Sequence, residues 1–165
     1  MTTGEGMIRI RPAVAADAEL LLSFVRELAE YERLAQHVVA TEEDLADALF
    51  GAQPYAHALI ASRNDIPVGF ALYFYNFSTF LGRPGLYLED LYVRPAERGQ
   101  GVGRRLLAHL AQVALERGCR RMEWAVLDWN EPSIGFYRRL GAEPMHEWTT
   151  YRLTGPALER LAGGP

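Results

Sequence analysis

Apolar and basic residues alternate from Met7 to Arg11 (MIRIR) and stop at Pro12, which predicts a short strand opening the fold. From about Asp17 the apolar positions Leu20, Leu21, Phe24, Val25, Leu28 and Tyr31 recur at three- and four-residue steps, the signature of an amphipathic helix. Thr41 followed three residues later by Asp44 starts a second, shorter helix that Gly51 ends. Then the period changes. Ala56 to Ser62 (AHALIAS) and Val68 to Phe74 (VGFALYF) flank the turn residues Arg63 to Pro67 and read as a hairpin, and Gly85 to Val93 (GLYLEDLYV) reads as a third strand after Gly82-Arg83-Pro84. Arg104 to Arg117 is the most regular amphipathic helix, closed by Gly118. Arg121 to Leu127 is expected as a short buried strand, Pro132 to Leu140 as a helix closed by Gly141, and Trp148 to Leu153 as a last strand. The order βααβββαβαβ predicts an α/β fold with a mixed sheet and helices on both faces.

Composition narrows the chemistry. At 165 residues the chain suits one domain, and no apolar run approaches the roughly 20 residues of a membrane span. Met1 to Gly6 lacks the basic and apolar regions of a signal peptide, so the expected location is cytoplasmic, with residues 1–6 as a disordered N-terminus and 156–165 as a C-terminal tail. The net charge of −4 argues against a nucleic-acid partner, and no membrane partner is expected. All 17 basic residues are arginines, which excludes mechanisms built on a Schiff-base or phosphate-loop lysine. The single cysteine, Cys119, excludes an internal disulfide and reads as a structural thiol. His37, His57, His109 and His146 are scattered, so no metal site is expected.

The chemically informative stretch is Val93 to Arg104 (VRPAERGQGVGR), where a strand runs through a glycine-rich turn into the longest helix. Backbone N–H groups at a helix N-terminus suit a phosphate or diphosphate. Gly99, Gly101 and Gly103 allow close backbone approach, while Arg98 and Arg104 add charge at the rim. A phosphate loop of the Gly-Lys-Ser/Thr type is absent, and the Gly-x-Gly-x-Gly spacing on a late strand does not fit a dinucleotide fingerprint.

The pattern Arg98-x-x-Gly101-x-Gly103 resembles the diphosphate-binding signature of the GNAT acetyltransferase superfamily, and Asp128 to Tyr137 followed by Leu140-Gly141-Ala142 resembles its later motif. Within the superfamily the chain is most similar to the diamine acetyltransferases, the spermidine/spermine enzyme and its thialysine relative, through Arg26 to Glu32 (RELAEYE), LYLEDLYV, RGQGVG and Ala125 to Asn130 (AVLDWN). The resemblance covers about residues 7–153 and implies an N-acetyltransferase domain over 7–155, with a mainly antiparallel central sheet.

The resemblance further implies an acetyl-coenzyme A cosubstrate, no metal, and a homodimer. Leu91, Tyr92 and Val93 would supply strand-edge contacts. Arg98, Gly99, Gln100, Gly101, Val102, Gly103 and Arg104 would hold the diphosphate, and Asn130, Glu131, Pro132, Ser133 and Tyr137 would complete the cofactor side. Tyr31, Glu32, Glu89, Glu123, Trp124 and Ala125 would line the site of a small cationic amine. An alkyl ammonium with a pKa of about 10.4 must lose a proton before it attacks a thioester. Glu89 matches the carboxylate that takes it, with Asp90, its neighbour of opposite facing, ranked behind. Tyr137 matches the donor to the departing thiolate. Plain alternatives stand beside these roles: an ion-paired strand residue for Glu89, core packing against Phe136 for Tyr137, and helix punctuation for Asn130 and Pro132. Thr149 stands where the polyamine enzymes carry an acid, which favours thialysine, a lysine analogue or a diamine over spermine. Two other functions fit the same motifs: acetylation of a peptide or protein, and a non-catalytic module that binds acetyl-coenzyme A.

Overall fold

A computed structural model describes residues 6–164, so the expectation of disorder for residues 1–5 lies outside the described residues, as does Pro165. The chain divides into two compact units, Met1–Ala125 and Val126–Pro165. The first contains β1 (Ile8–Pro12), α1 (Ala18–Tyr31), α2 (Glu42–Phe50), β2 (His57–Arg63), β3 (Ile66–Ser78), β4 (Arg83–Val93), α3 (Val102–Glu116) and β5 (Met122–Glu123). The strands lie side by side in chain order, antiparallel except for the parallel β4–β5 pair.

Alternation in the strands sorts side chains onto two buried faces. Ala58 and Ile60 of β2, Phe70 and Leu72 of β3 and Tyr92 of β4 form one cluster with Leu21 and Phe24 of α1 and Leu49 of α2. Phe24 stacks flat on Phe70 at 5.4 Å between ring centroids and is fully buried, so Phe24→Ala would cost about 3–5 kcal/mol. The intervening positions Leu59, Ala61 and Ala71 are buried on the opposite face, where α3 crosses β1 to β4 with Leu106 and Leu110 fully buried. Helices therefore cover both faces of a mixed, mainly antiparallel sheet, as the sequence predicts.

The helix starts are chemically explicit. Thr41 caps α2: its hydroxyl accepts from the Asp44 N–H at 3.1 Å while its own N–H donates to the Asp44 carboxylate at 2.8 Å, a reciprocal pair of about 1 kcal/mol. At the start of the fold the Asp17 carboxylate accepts both Arg11 Nη groups, at 2.7 and 2.9 Å, and the Val14 N–H at 2.8 Å. Those bonds hold the carboxyl below the usual range.

Three sequence expectations need correction. Trp148 to Leu153 forms no strand, and Arg121 to Leu127 is a strand only at Met122–Glu123. Alternation makes a segment able to enter a sheet, but a strand exists only where a partner edge accepts its hydrogen bonds. The second unit contains α4 (Glu131–Arg139) and α5 (Gly155–Gly163), the latter started by Pro156. In the opposite sense, β3 runs past Phe74 to Ser78, because β4 starts at Arg83 and pairs with the extra residues.

Candidate active site

The strand-to-helix turn is built from both ends. At its entry the Arg94 guanidinium lies over the Phe24 ring at 4.8 Å, donates to the Glu27 carboxylate at 2.9 and 3.2 Å, and reaches the Pro67 carbonyl at 3.0 Å. Glu97 is held by Arg63 Nε at 2.6 Å. At its exit Val102 is buried and pins the first turn of α3 into the core. Between these anchors Arg98 donates from Nε to the Val93 carbonyl at 2.8 Å, and Gln100 donates to the Ala96 carbonyl at 3.1 Å. Gly99 (φ +74°) and Gly101 (φ +85°) occupy the left-handed region, and a Cβ on either would meet nothing within 4 Å. The backbone here faces open space.

Gly101 is the N-cap of α3, and no side chain caps it. Helix N-termini carry partial positive charge and favour acidic residues, yet the first turn of α3 has none and carries Arg104 and Arg105 instead. Arg105 donates to the Ile8 carbonyl at 3.0 Å, and Arg104 is exposed. Positive charge added to a positive helix end is unfavourable alone and favourable around an anion.

A second group of residues gathers where α1 ends beside β4. Leu72 of β3 pairs with Asp90, and Tyr73 pairs with Leu88, so Glu89 is the extra residue of a bulge in β4. Strict alternation predicts that Glu89 and Asp90 face apart. The bulge breaks the alternation, and the charges of Glu89 and Glu32 both act on Asp90. Asp90 is half-buried on the α1 side, and burial together with those two carboxylates pushes its pKa up to about 7. Glu32, which caps the C-terminus of α1, is pushed upward by burial and by Glu89. Glu89 itself is exposed. The structure thus brings together the predicted Glu32 and Glu89 and raises Asp90 from second rank to the group titrating near neutrality.

Along β4 the pairing with β5 is confined to Leu86 and Tyr87. From Leu88 to Val93 the edge away from β3 carries no strand partner among the described residues, leaving backbone donors and acceptors to a ligand. Tyr92 points its ring into the α1-side core, so from this strand it could offer a ligand only backbone. Glu123 pairs in β5 with Tyr87 and forms an ion pair with Arg121 at 3.0 Å. Trp124 is half-buried and Ala125 is exposed. Sequence reasoning missed Tyr87, which stacks on Phe74 and whose hydroxyl pKa is raised by burial and by Glu89 and Glu123. Its i, i+2 spacing from Glu89 was the available signal. The anchors Glu27, Arg63, Arg94 and Glu97 were also missed, and nothing local marks them.

In the second unit, Asn130 is buried and caps α4 by accepting the Ser133 N–H at 3.4 Å, with Glu131 and Pro132 in the first turn. Tyr137 is half-buried and packs on Phe136 at 5.6 Å between centroids. Cys119 is buried, which raises its thiol pKa. Among the described residues no group of His, Cys, Asp and Glu is placed to hold a metal ion, and no helix is long and apolar enough to cross a membrane.

Comparison with known proteins adds independent information. Residues 21–142 match the acetyltransferase (GNAT) family. The chain is 41% identical to thialysine N-epsilon-acetyltransferase of Bos taurus over 167 residues, covering 94% of this chain and 98% of that protein. It is 31% identical to L-ornithine N5-acetyltransferase of Arabidopsis thaliana, covering 96% and 90% respectively. An integron cassette protein from V. cholerae superposes with a TM-score of 0.78 at 31% identity, covering 95% of this chain and 99% of that one. These similarities bear out the resemblance to the diamine acetyltransferases carried by the sequence motifs. With the family match spanning most of its length and relatives covered almost end to end, the chain is an N-acetyltransferase and belongs to the GNAT family.

Proposed function

We propose that this enzyme moves the acetyl group of acetyl-coenzyme A to the terminal primary amine of a small cationic acceptor, a thialysine- or lysine-like amino acid or a diamine, by direct attack in a ternary complex. The carrying observation is the start of α3: left-handed glycines open to solvent, an uncapped helix N-terminus, and two arginines where an acidic residue would otherwise be favoured. A diphosphate fits that charge pattern. Gly99 to Gly103 would give it backbone N–H groups, Arg98 and Arg104 would give it charge, and the open β4 edge from Leu91 to Val93 would receive the arm that carries the thioester. By family resemblance Asn130 to Ser133 and Tyr137 would contact the same cosubstrate.

The acceptor reading rests on the carboxylates. Glu32, Glu89 and Asp90 make a strongly negative end of α1, which attracts an ammonium and then takes its proton. Asp90, with a pKa near 7, is matched to that exchange at neutral pH. The amine nitrogen bonds to the acyl carbon, the carbon–sulfur bond breaks, and the proton from nitrogen passes to the Glu89–Asp90 pair. Tyr137 donates a proton to the departing sulfur. Glu123, Trp124 and Ala125 would line the far side, with Glu123 moderated by Arg121. The two relatives named above act, by their names, on side-chain amines of amino acids, which supports a short acceptor, as does Thr149.

The enzyme works in this reading as a cytoplasmic homodimer, with residues 7–155 as the acetyltransferase domain. Trp148 and Tyr151 are 77% and 93% exposed in a segment rich in aromatic and β-branched residues, a surface that a second copy would cover. Light scattering reads the mass directly: a monomer at micromolar concentration removes the homodimer.

The deciding experiment follows coenzyme A thiol release with thialysine, lysine, ornithine, putrescine, spermidine and a ribosomal-type peptide. Turnover is expected on the short amines. Turnover on the peptide alone would replace this acceptor class, and none on any acceptor despite coenzyme A binding would leave a binding module.

A further inference from the structure

Two residues that the sequence assigns to opposite ligands touch each other. Tyr31 belongs by resemblance to the amine side and Arg98 to the diphosphate side, yet the Arg98 guanidinium sits over the Tyr31 ring at 4.6 Å from its centroid. The Tyr92 ring lies 5.5 Å from the same guanidinium, and Arg98 Nε donates to the Val93 carbonyl. The guanidinium is thereby held by rings from α1 and β4 and by one backbone bond from Nε, and its Nη atoms carry further donors. A cationic amine approaching the occupied face of Tyr31 would meet that positive charge a few ångströms away. The next residue, Glu32, is the one that joins the carboxylates.

We propose that Tyr31 is a positioning residue of the cofactor side: its ring holds the Arg98 guanidinium, and through it the donor geometry of the turn 98–103, so that it governs affinity for the diphosphate cosubstrate rather than for the amine. The inference rests on the reading of the turn as a diphosphate site and deepens it. The end of α1 then serves both substrates with adjacent residues, Tyr31 through Arg98 and Glu32 through its carboxylate. Arg98 is exposed, and a cation over an aromatic ring at an exposed site is worth enough to change affinity by roughly two- to fivefold.

Coenzyme A itself is the probe, titrated calorimetrically into wild type, Tyr31→Ala, Tyr31→Leu, Tyr31→Phe, Arg98→Met and the double variant Tyr31→Ala/Arg98→Met, with thermal melts to check folding. Tyr31→Ala and Tyr31→Leu are expected to bind coenzyme A about two- to fivefold more weakly, and Tyr31→Phe, which keeps the ring face, as tightly as wild type. Losses at positions 31 and 98 should not multiply, because both remove one interaction. The KM for the best amine should move less than the coenzyme A affinity in Tyr31→Leu. If Tyr31→Ala does not fold, Tyr31→Leu, which keeps bulk without the π face, decides the matter. Wild-type coenzyme A affinity in Tyr31→Leu, or losses that multiply in the double variant, would overturn the proposal. Absence of coenzyme A binding by wild type is a separate outcome that removes the diphosphate site itself.

Discussion

The glycine turn between β4 and α3 and the carboxylates at the end of α1 lie in the same unit and are organised by opposite means. The turn works through backbone: two glycines in the left-handed region and a helix start without a cap, with arginines at the rim. The acidic end works through side chains contributed by a helix C-terminus and a bulged strand, and burial, with the neighbouring Glu89 and Glu32, pushes the pKa of Asp90 up to about 7. Affinity for the cosubstrate should therefore be indifferent to pH across the neutral range, while the chemical step should not. A site divided this way can keep one ligand bound while the protonation of the other side decides whether transfer occurs.

The largest effects should come from removing the proton acceptors. Asp90→Asn and Glu89→Gln are each expected to lower kcat/KM by about 10²- to 10⁴-fold, with the coenzyme A dissociation constant within about twofold of wild type. Steady-state kinetics beside calorimetry reads both, and full activity in either variant takes that residue out of the mechanism. The reverse pattern should follow Gly101→Val. A β-branched residue is strained at φ +85°, and its Cβ would occupy the open space facing the turn, so coenzyme A affinity should fall by at least about tenfold. The pH profile of whatever turnover remains should be unmoved.

A smaller effect sharpens the contrast. In wild type, kcat/KM should rise with pH through about 7 as Asp90 ionises, while coenzyme A affinity measured over the same range stays flat. Glu32→Gln removes a negative charge that raises the Asp90 pKa, so the rising limb should move to lower pH, by less than one unit. A limb that stays in place would show that Glu32 does not act on Asp90.

The smallest effect is on stability. Asp90 has a folded pKa above its unfolded value, so the folded state binds the extra proton between about 4 and 7, and stability falls as pH rises through that window. Asp90→Asn should thus be more thermostable relative to wild type at pH 8 than at pH 5, by a few degrees in Tm. Equal differences at the two pH values would mean that the carboxyl is not perturbed by folding.

Much of this was readable in the chain. The period-3.6 stripes of α1 and α3, the Thr41–Asp44 cap and the glycine spacing of the turn are local, and short-range physics fixes them: side-chain direction in a helix, reciprocal capping bonds, and the cost of φ > 0 for residues with a Cβ. The identity of Glu32 and Glu89 as candidate residues was also there in the motifs. The bulge at Glu89 was not, because a bulge is a property of two strands and only pairing with Leu72 and Tyr73 shows that one residue is skipped. Nor was the contact between Tyr31 and Arg98, which are far apart in sequence and were assigned to different ligands.

The same division explains the failed strand. Trp148 to Leu153 has the composition of a strand, but hydrogen-bond pairing is a property of two segments, and the second is not encoded in the first. The sequence by itself determined where helices begin, which faces are apolar and which turn can hold an anion, since each depends on neighbours a few residues apart. Tertiary structure alone decided which carboxylates share their charge, which aromatic ring holds which guanidinium, and which edges stay unpaired, since those depend on distances between segments that no local pattern records.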